Sequence, residues 1–382
     1  MTETNPIAEQ SIVAPDPISP EKNFRALGHD PFSEIIETDP FGQRLDWLTR
    51  HDSEQPWKRR NARLRTVRDH DRLKPSRRHD NAPSTATRQP RWATTPRLSD
   101  VDLPAPTGWL ERLLGEHERR VLGAFSSLVE GDMPYDRYGF SPDVCKRAFP
   151  IVHVLYRRYF RVKSVGHEHI PREGPAILAA NHGGLLPFDA VMGIVDVALH
   201  SDPPRLTRAI VDLWAGSLPW INVLYARLGQ VIGTRENFSD LLSNGQLVLV
   251  FPEGIEGIRK TVSHRYTLQE FRVGFIEQAL HERVPIIPVA IIGSADQAPI
   301  LYDIKPLARR LGLPVAPITP TFPWLGPLGL LPYPVSYKIV YGQPMEFFRS
   351  YSPEDANDPA LVSDLAEQVR RTVQALIDEN RS

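Results

Sequence analysis

Across residues 165–343, short apolar runs alternate with amphipathic segments of helical length. This alternation constrains the fold more than any other feature of the chain. Strand candidates are 176–180, 208–211, 230–233, 247–251, 286–292 and 336–341, and the helices between them fall near 188–199, 218–228, 235–243 and 271–282. Continuous apolar runs this short suit strands covered on both faces. The helix at 235–243 closes at Asn244-Gly245, a common stop signal. The expected architecture is α/β: a layered domain over about 164–345 with a central, mostly parallel sheet flanked by helices.

Helices are expected on either side of that domain. Before it, residues 105–163 read as a helical pair, with Leu110, Leu113, Leu114, Val121, Phe125 and Leu128 close to helical spacing and a second helix over about 142–160. The second helix ends in Tyr156, Tyr159 and Phe160 beside Arg157, Arg158 and Arg161. Rings next to cations suit a lipid headgroup layer, and they suit the rim of a core helix as well. After the domain, within 352–380, a helix starts behind Asp358 with Pro359 in its first turn and presents Leu361, Leu365, Val369, Val373 and Leu376 on one face.

Residues 1–100 hold no sustained period and have the composition of a disordered arm rich in Pro and Arg, apart from a short docking helix expected within 23–36. The whole chain carries a net charge of only -1, but 51–98 has thirteen Lys or Arg against five Asp or Glu, an excess of 8. That stretch suits an anionic membrane surface, with nucleic acid the lesser reading; a solvated arm without a partner stands beside both. One cysteine, Cys145, excludes an intrachain disulfide and a Cys-rich metal site. The first residues lack a basic segment followed by an apolar core, so no signal peptide is expected. The longest uncharged run, 311–337, contains seven prolines and is no continuous spanning helix. Four of those prolines, Pro314, Pro317, Pro320 and Pro323, recur every third residue, the repeat of a polyproline II helix.

Ligands in open α/β sheets collect where strands end, and four such ends carry unusual residues. They are Asn181-His182 with Asp189 after strand 176–180, Gly229 to Arg235, Phe251-Pro252-Glu253-Gly254, and Val284-Pro285-Ile286-Ile287-Pro288. Each has an ordinary explanation by itself. A lone loop histidine is usually satisfied by a hydrogen bond, Pro-Glu-Gly makes turns, and Arg235 reads as a surface charge. Pro288 is odd in a strand because it deletes a ladder donor.

In this order and spacing the four segments resemble the sequence blocks of the phospholipid/glycerol acyltransferase family, which includes lysophosphatidic acid acyltransferases. The likeness covers about 160–345, and Phe-Pro-Glu-Gly is its sharpest match. It implies an O-acyltransferase moving a fatty acyl group from acyl-CoA or an acyl carrier protein to a glycerol-based lipid acceptor. It implies no metal or organic cofactor beyond that thioester co-substrate. His182 would be the general base and Asp189 its orienting carboxylate, as in a serine-protease triad in which the acceptor's hydroxyl replaces the serine. Asn181, Gly183, Arg235, Phe251, Pro252, Glu253, Gly254, Lys260 and Pro288 would bind substrate. Backbone N–H groups at Gly183-Gly184 would face the oxyanion. The expected location is cytoplasmic, at the inner face of the cell membrane.

Two departures stand out. Six residues separate His182 from Asp189 where the family has four, which brings Asp196 and Asp212 in as substitutes. Phe-Pro-Glu-Gly is followed by Ile255-Glu256 in place of the Thr-Arg associated with the acceptor's phosphate, with Arg259 and Lys260 further on. A non-phosphorylated lipid alcohol is therefore an alternative acceptor. A thioesterase or lipase, and a catalytically silent lipid-binding scaffold, are the other readings. The chain has no Gly-x-Ser-x-Gly nucleophile and no His-Glu-x-x-His zinc helix.

Overall fold

A computed structural model of the chain describes residues 112, 114–126, 134–213, 220–311 and 313–381. The arm over 1–100, its docking helix and parts of the first helix lie outside the described residues. The helices are α1 (Glu116–Ser126), α2 (Pro142–Val154), α3 (Phe188–His200), α4 (Ile221–Arg227), α5 (Arg235–Ser243), α6 (Ile255–Ile258), α7 (Gly274–His281), α8 (Lys305–Leu311) and α9 (Pro359–Asn380). The strands are β1 (Lys163–Val165), β2 (Ala176–Ala180), β3 (Thr207–Val211), β4 (Val231–Ile232), β5 (Leu247–Val250), β6 (Ile286–Ile292), β7 (Tyr302–Asp303), β8 (Pro317–Ile318) and β9 (Lys338–Tyr341).

Seven strands form one sheet in the order β1-β9-β6-β2-β5-β3-β4. Every neighbouring pair is parallel except β6 with β9. The central strands β2, β5 and β6 are apolar throughout because both faces are covered. Leu178, Leu249, Ile287, Val289 and Ile291 meet Val121, Phe149, Met192 and Val195 on one side. Ile177, Val248, Val250 and Ile286 meet Phe238, Ile276, Leu365, Val369 and Val373 on the other. Each such fully buried aliphatic side chain contributes about 1.5–3 kcal/mol of transfer free energy. The helical pair thus shares a core with the sheet, and α9 seals the opposite face.

Local signals fix the element ends. Thr234 Oγ1 accepts the N–H of Asn237 at 3.1 Å and caps α5. Asp358 accepts the N–H groups of Ala360 and Leu361 at the start of α9, where Pro359 has no N–H to satisfy. α2 ends as an α-helix at Val154 and continues through a π-turn, Leu155–Tyr159. The three-residue proline repeat does not extend as one polyproline helix: Pro317 enters β8, which pairs with β7, and a 3₁₀ turn follows at Gly326–Leu330. Among the described residues no helix is long and apolar enough to cross a membrane.

Pro288 sits beside β2 in register with Ala179. Its carbonyl accepts the N–H of Gly342 at 2.8 Å, one residue beyond the end of β9. The donor that proline lacks would face a strand that has just ended, so the ladder loses little.

Candidate active site

Parallel pairing brings the ends of β2, β5 and β6 to one rim. In register, Ala179 lies between Val250 and Pro288. The chain leaves β2 into Asn181-His182, β5 into Phe251-Pro252-Glu253 and β6 into Gly293-Ser294, so two of the four sequence blocks begin there, and Pro288 of a third lies beside Ala179.

His182 Nδ1 lies 2.6 Å from Asp189 Oδ2. Asp189 is fully buried in the first turn of α3, where the helix dipole favours a carboxylate. Its oxygens also accept the N–H of Gly183 at 3.0 Å and of Ala190 at 2.8 Å. Six intervening residues therefore close the pair as a compact loop. Gly184 turns that loop at φ +89, and a Cβ there would sit 2.0 Å from Gln297 Nε2. Gln297 holds the loop from outside, donating to the carbonyl of Leu186 at 3.2 Å while accepting the hydroxyl of Tyr337 at 2.7 Å.

The His182 ring stacks on Phe251, with centroids 4.4 Å apart. Its side chain is 14% exposed, and Nε2 makes no hydrogen bond to any described residue. Behind it, Glu253 Oε1 accepts the backbone N–H of His182 at 2.9 Å. Glu253 is buried and also accepts Lys260 Nζ at 3.0 and 2.9 Å and the N–H of Gln269 at 2.8 Å. Asn181 is equally occupied, exchanging bonds of 2.6 and 3.0 Å with the N–H and carbonyl of Ile291 in β6. Asn181, Glu253 and Lys260 thus spend their polar atoms inside the protein, holding the His182 loop between β5 and β6. Gly257 lets α6 close over them: a Cβ there would lie 2.8 Å from the Cβ of His182.

Arg235 and Arg259 are also engaged. Arg235 Nη2 meets Glu277 at 2.7 Å. Arg259 meets Glu256 at 3.1 Å and Asp303 at 3.0 Å. Gly254, at φ +56, lies under the exposed guanidinium of Arg272, and Pro252 accepts the Arg272 N–H at 3.0 Å. Asp196 is buried away from His182 and accepts the hydroxyls of Tyr156, Ser164 and Tyr341. The sequence named none of Gln269, Ser294 and Gln297 for the site. An isolated glutamine in a loop sends no signal in one sequence.

The profile of the family described as Acyltransferase matches residues 161–292. An uncharacterized protein of Mycobacterium tuberculosis is 40% identical over 258 residues, which cover 66% of this chain and 71% of that protein. The human DGAT1/2-independent enzyme synthesizing storage lipids is 26% identical over 224 residues, covering 56% of this chain and 60% of that enzyme. Among solved structures, the 1-acyl-sn-glycerophosphate (LPA) acyltransferase PlsC from Thermotoga maritima is matched at 19% identity and a TM-score of 0.40, over 63% of this chain and 88% of that one. The chain belongs to the family described as Acyltransferase and is an acyltransferase.

Proposed function

We propose that the protein transfers a fatty acyl group from a thioester, acyl-CoA or acyl carrier protein, to an uncharged hydroxyl of a glycerol-based lipid, with His182 as general base. The observation that carries this reading is the 2.6 Å contact from His182 Nδ1 to a buried Asp189 that three donors hold in place. A carboxylate on Nδ1 keeps the proton there and leaves Nε2 as the acceptor for a substrate proton. Nε2 takes the proton of the acceptor hydroxyl as its oxygen attacks the thioester carbonyl. The tetrahedral intermediate collapses, the C–S bond breaks, and the imidazolium returns the proton to the leaving thiolate. The Gly183 N–H is committed to Asp189, so the Gly184 N–H is the member of the glycine pair available to the oxyanion.

The preference for an uncharged acceptor is supported by the ion pairs. Arg235, Arg259 and Lys260 each lie against a carboxylate, so none brings an unneutralised charge to a phosphate. The human relative, named as an enzyme synthesizing storage lipids, points the same way. Peripheral membrane contact is supported by the exposed apolar side chains around the site. Trp220 is 86% and Trp324 76% exposed, with Val223, Leu224, Leu325 and Leu328 beside them in sequence. Tyr225 on α4 has its hydroxyl pKa raised by burial and by the nearby charge of Asp189, which ties this apolar helix to the His182 pocket.

The reading is tested with one long-chain acyl-CoA and four acceptors: glycerol 3-phosphate, lysophosphatidic acid, monoacylglycerol and diacylglycerol. Acylation of the uncharged acylglycerols above the phosphorylated acceptors is expected. Preference for lysophosphatidic acid would overturn the acceptor assignment, and thiol release without acylated lipid would overturn acyl transfer.

A further inference from the structure

A cavity of about 500 Å³ is lined by residues 262, 263 and 265–267, the end of β6, Asp296, Ser336 and Arg381. It opens at the end of β6, where Gly293 forms one wall. The next residue, Ser294, lies directly against the catalytic loop: its Oγ would be 2.7 Å from a Cβ placed on Gly183. Gly293 of the cavity lining is thus the chain neighbour of a residue packed on the His182 loop.

Its chemistry is cationic and polar. The guanidinium groups of Arg265 and Arg381 lie over the ring of Tyr266, 5.4 and 5.0 Å from its centroid. Asp296 meets Arg265 Nε at 2.7 Å and accepts the Tyr266 hydroxyl, so its carboxylate is used in aiming Arg265. Arg265 Nη1 donates to the carbonyl of Val262 at 2.7 Å, which leaves Nη2 for a ligand. Ser336, also in the lining, accepts Arg161 through its Oγ at 3.2 and 3.1 Å.

We infer that this cavity binds the phosphate esters of the donor's carrier, the 3′-phosphoadenosine diphosphate part of coenzyme A. The inference rests on the acyl-transfer reading and names its donor. Arginine forks suit phosphate oxygens, and the volume falls within the roughly 300–1,000 Å³ of small-molecule sites. A lining of arginines, hydroxyls and a carboxylate suits no acyl chain. The cations of the sequence blocks are neutralised by Glu253, Glu256, Asp303 and Glu277, whereas here two arginines share one carboxylate.

The test is calorimetric titration of the full chain with 3′,5′-ADP and, separately, with glycerol 3-phosphate, comparing wild type with Arg381→Ala and Arg381→Glu. Arg381 lies past the end of α9 and is exposed, and thermal melting checks that each variant is folded. Binding of 3′,5′-ADP by wild type and a loss of about tenfold or more in the variants are expected, about 1.4 kcal/mol per tenfold. In turnover assays the KM for acyl-CoA should rise by a similar factor while the KM for acyl-pantetheine, which lacks the phosphates, stays unchanged. Equal 3′,5′-ADP affinity in all three proteins, or none in wild type, would overturn the inference. Arg381-dependent binding of glycerol 3-phosphate alone would overturn it too, by assigning the cavity to a phosphorylated acceptor. Arg381-dependent 3′,5′-ADP binding in a protein that acylates no acceptor would support the cavity while overturning the acyl-transfer reading.

Discussion

Glu253 Oε1 accepts the backbone N–H of His182 at 2.9 Å, linking two blocks that lie 71 residues apart. The same carboxylate neutralises Lys260, which is as buried as Glu253 itself. Glu253 therefore acts on the loop that carries the base. Glu253→Gln removes a negative charge that four hydrogen bonds surround and leaves the Lys260 ammonium buried without a counter-ion. A stability loss of about 3–5 kcal/mol is expected from breaking a buried pair on one side, measured by denaturant unfolding. A midpoint unchanged from wild type would remove Glu253 from this role.

Asp189 and Asp196 are both fully buried on α3 and should separate in function. Asp189→Asn keeps the shape but disturbs the tautomer of His182, and kcat should fall by about 10²–10⁴. Asp196→Asn breaks into the cluster of Tyr156, Ser164 and Tyr341 and should lower the melting temperature while the folded fraction keeps its kcat. The two variants compared by steady-state kinetics and melting give opposite patterns; the reverse assignment of effects would make Asp196 the orienting acid.

Burial pushes the Cys145 thiol up to about 12, partly offset by Arg208. Little thiolate exists at pH 8, and the thiolate is the reactive form. Alkylation by iodoacetamide is expected to be slow in the native protein and fast in denaturant. Rapid native labelling, followed by mass spectrometry, would contradict this environment.

The contact between α1 and α2 is acid-sensitive. Burial lowers the pKa of His153 below 6.5, outweighing the neighbouring Glu118 charge. Burial alone would raise Glu118, but its backbone hydrogen bond and the charges of His153, His117 and Arg157 hold it below 4.5. Both shifts mean that the folded state binds fewer protons than the unfolded one, so stability falls as pH drops. The loss begins below about pH 6.5 with His153 and deepens below about 4.5 with Glu118. Hydrogen exchange across α1, measured from pH 7 to 4, should accelerate over that range, and His153→Phe should flatten its upper part.

Much of the fold around the candidate site was legible in the sequence because the central strands are strongly apolar and two of the sequence blocks fall at their ends. The run at 176–180 is β2, and 286–292 is β6. Helix 235–243 is α5, bounded by its Thr234 cap and its Asn-Gly stop. His182 and Asp189 meet in spite of the longer spacing because Gly184 takes a positive φ and α3 offers its N-terminus. What the sequence does not declare is long-range pairing. β1 at Lys163–Val165 is too short and polar to read as a strand, and it forms because β9 offers it a parallel edge. The 230–233 run shrinks to Val231–Ile232 at the sheet's far edge, where it has one neighbour. Lys260 reads as a substrate contact until Glu253 is seen to bury it, and Arg235 until it meets Glu277. A single sequence states a charge without its partner.

The most direct test of the account compares acyl transfer by wild type and His182→Ala, using acyl-CoA and diacylglycerol, with the melting temperature of each protein measured alongside. His182 makes its side-chain contacts with Asp189 and Phe251, so the variant should fold, and its kcat should fall by at least about 10²-fold, as expected for losing a general base. A folded His182→Ala protein that acylates at the wild-type rate would contradict the central claim.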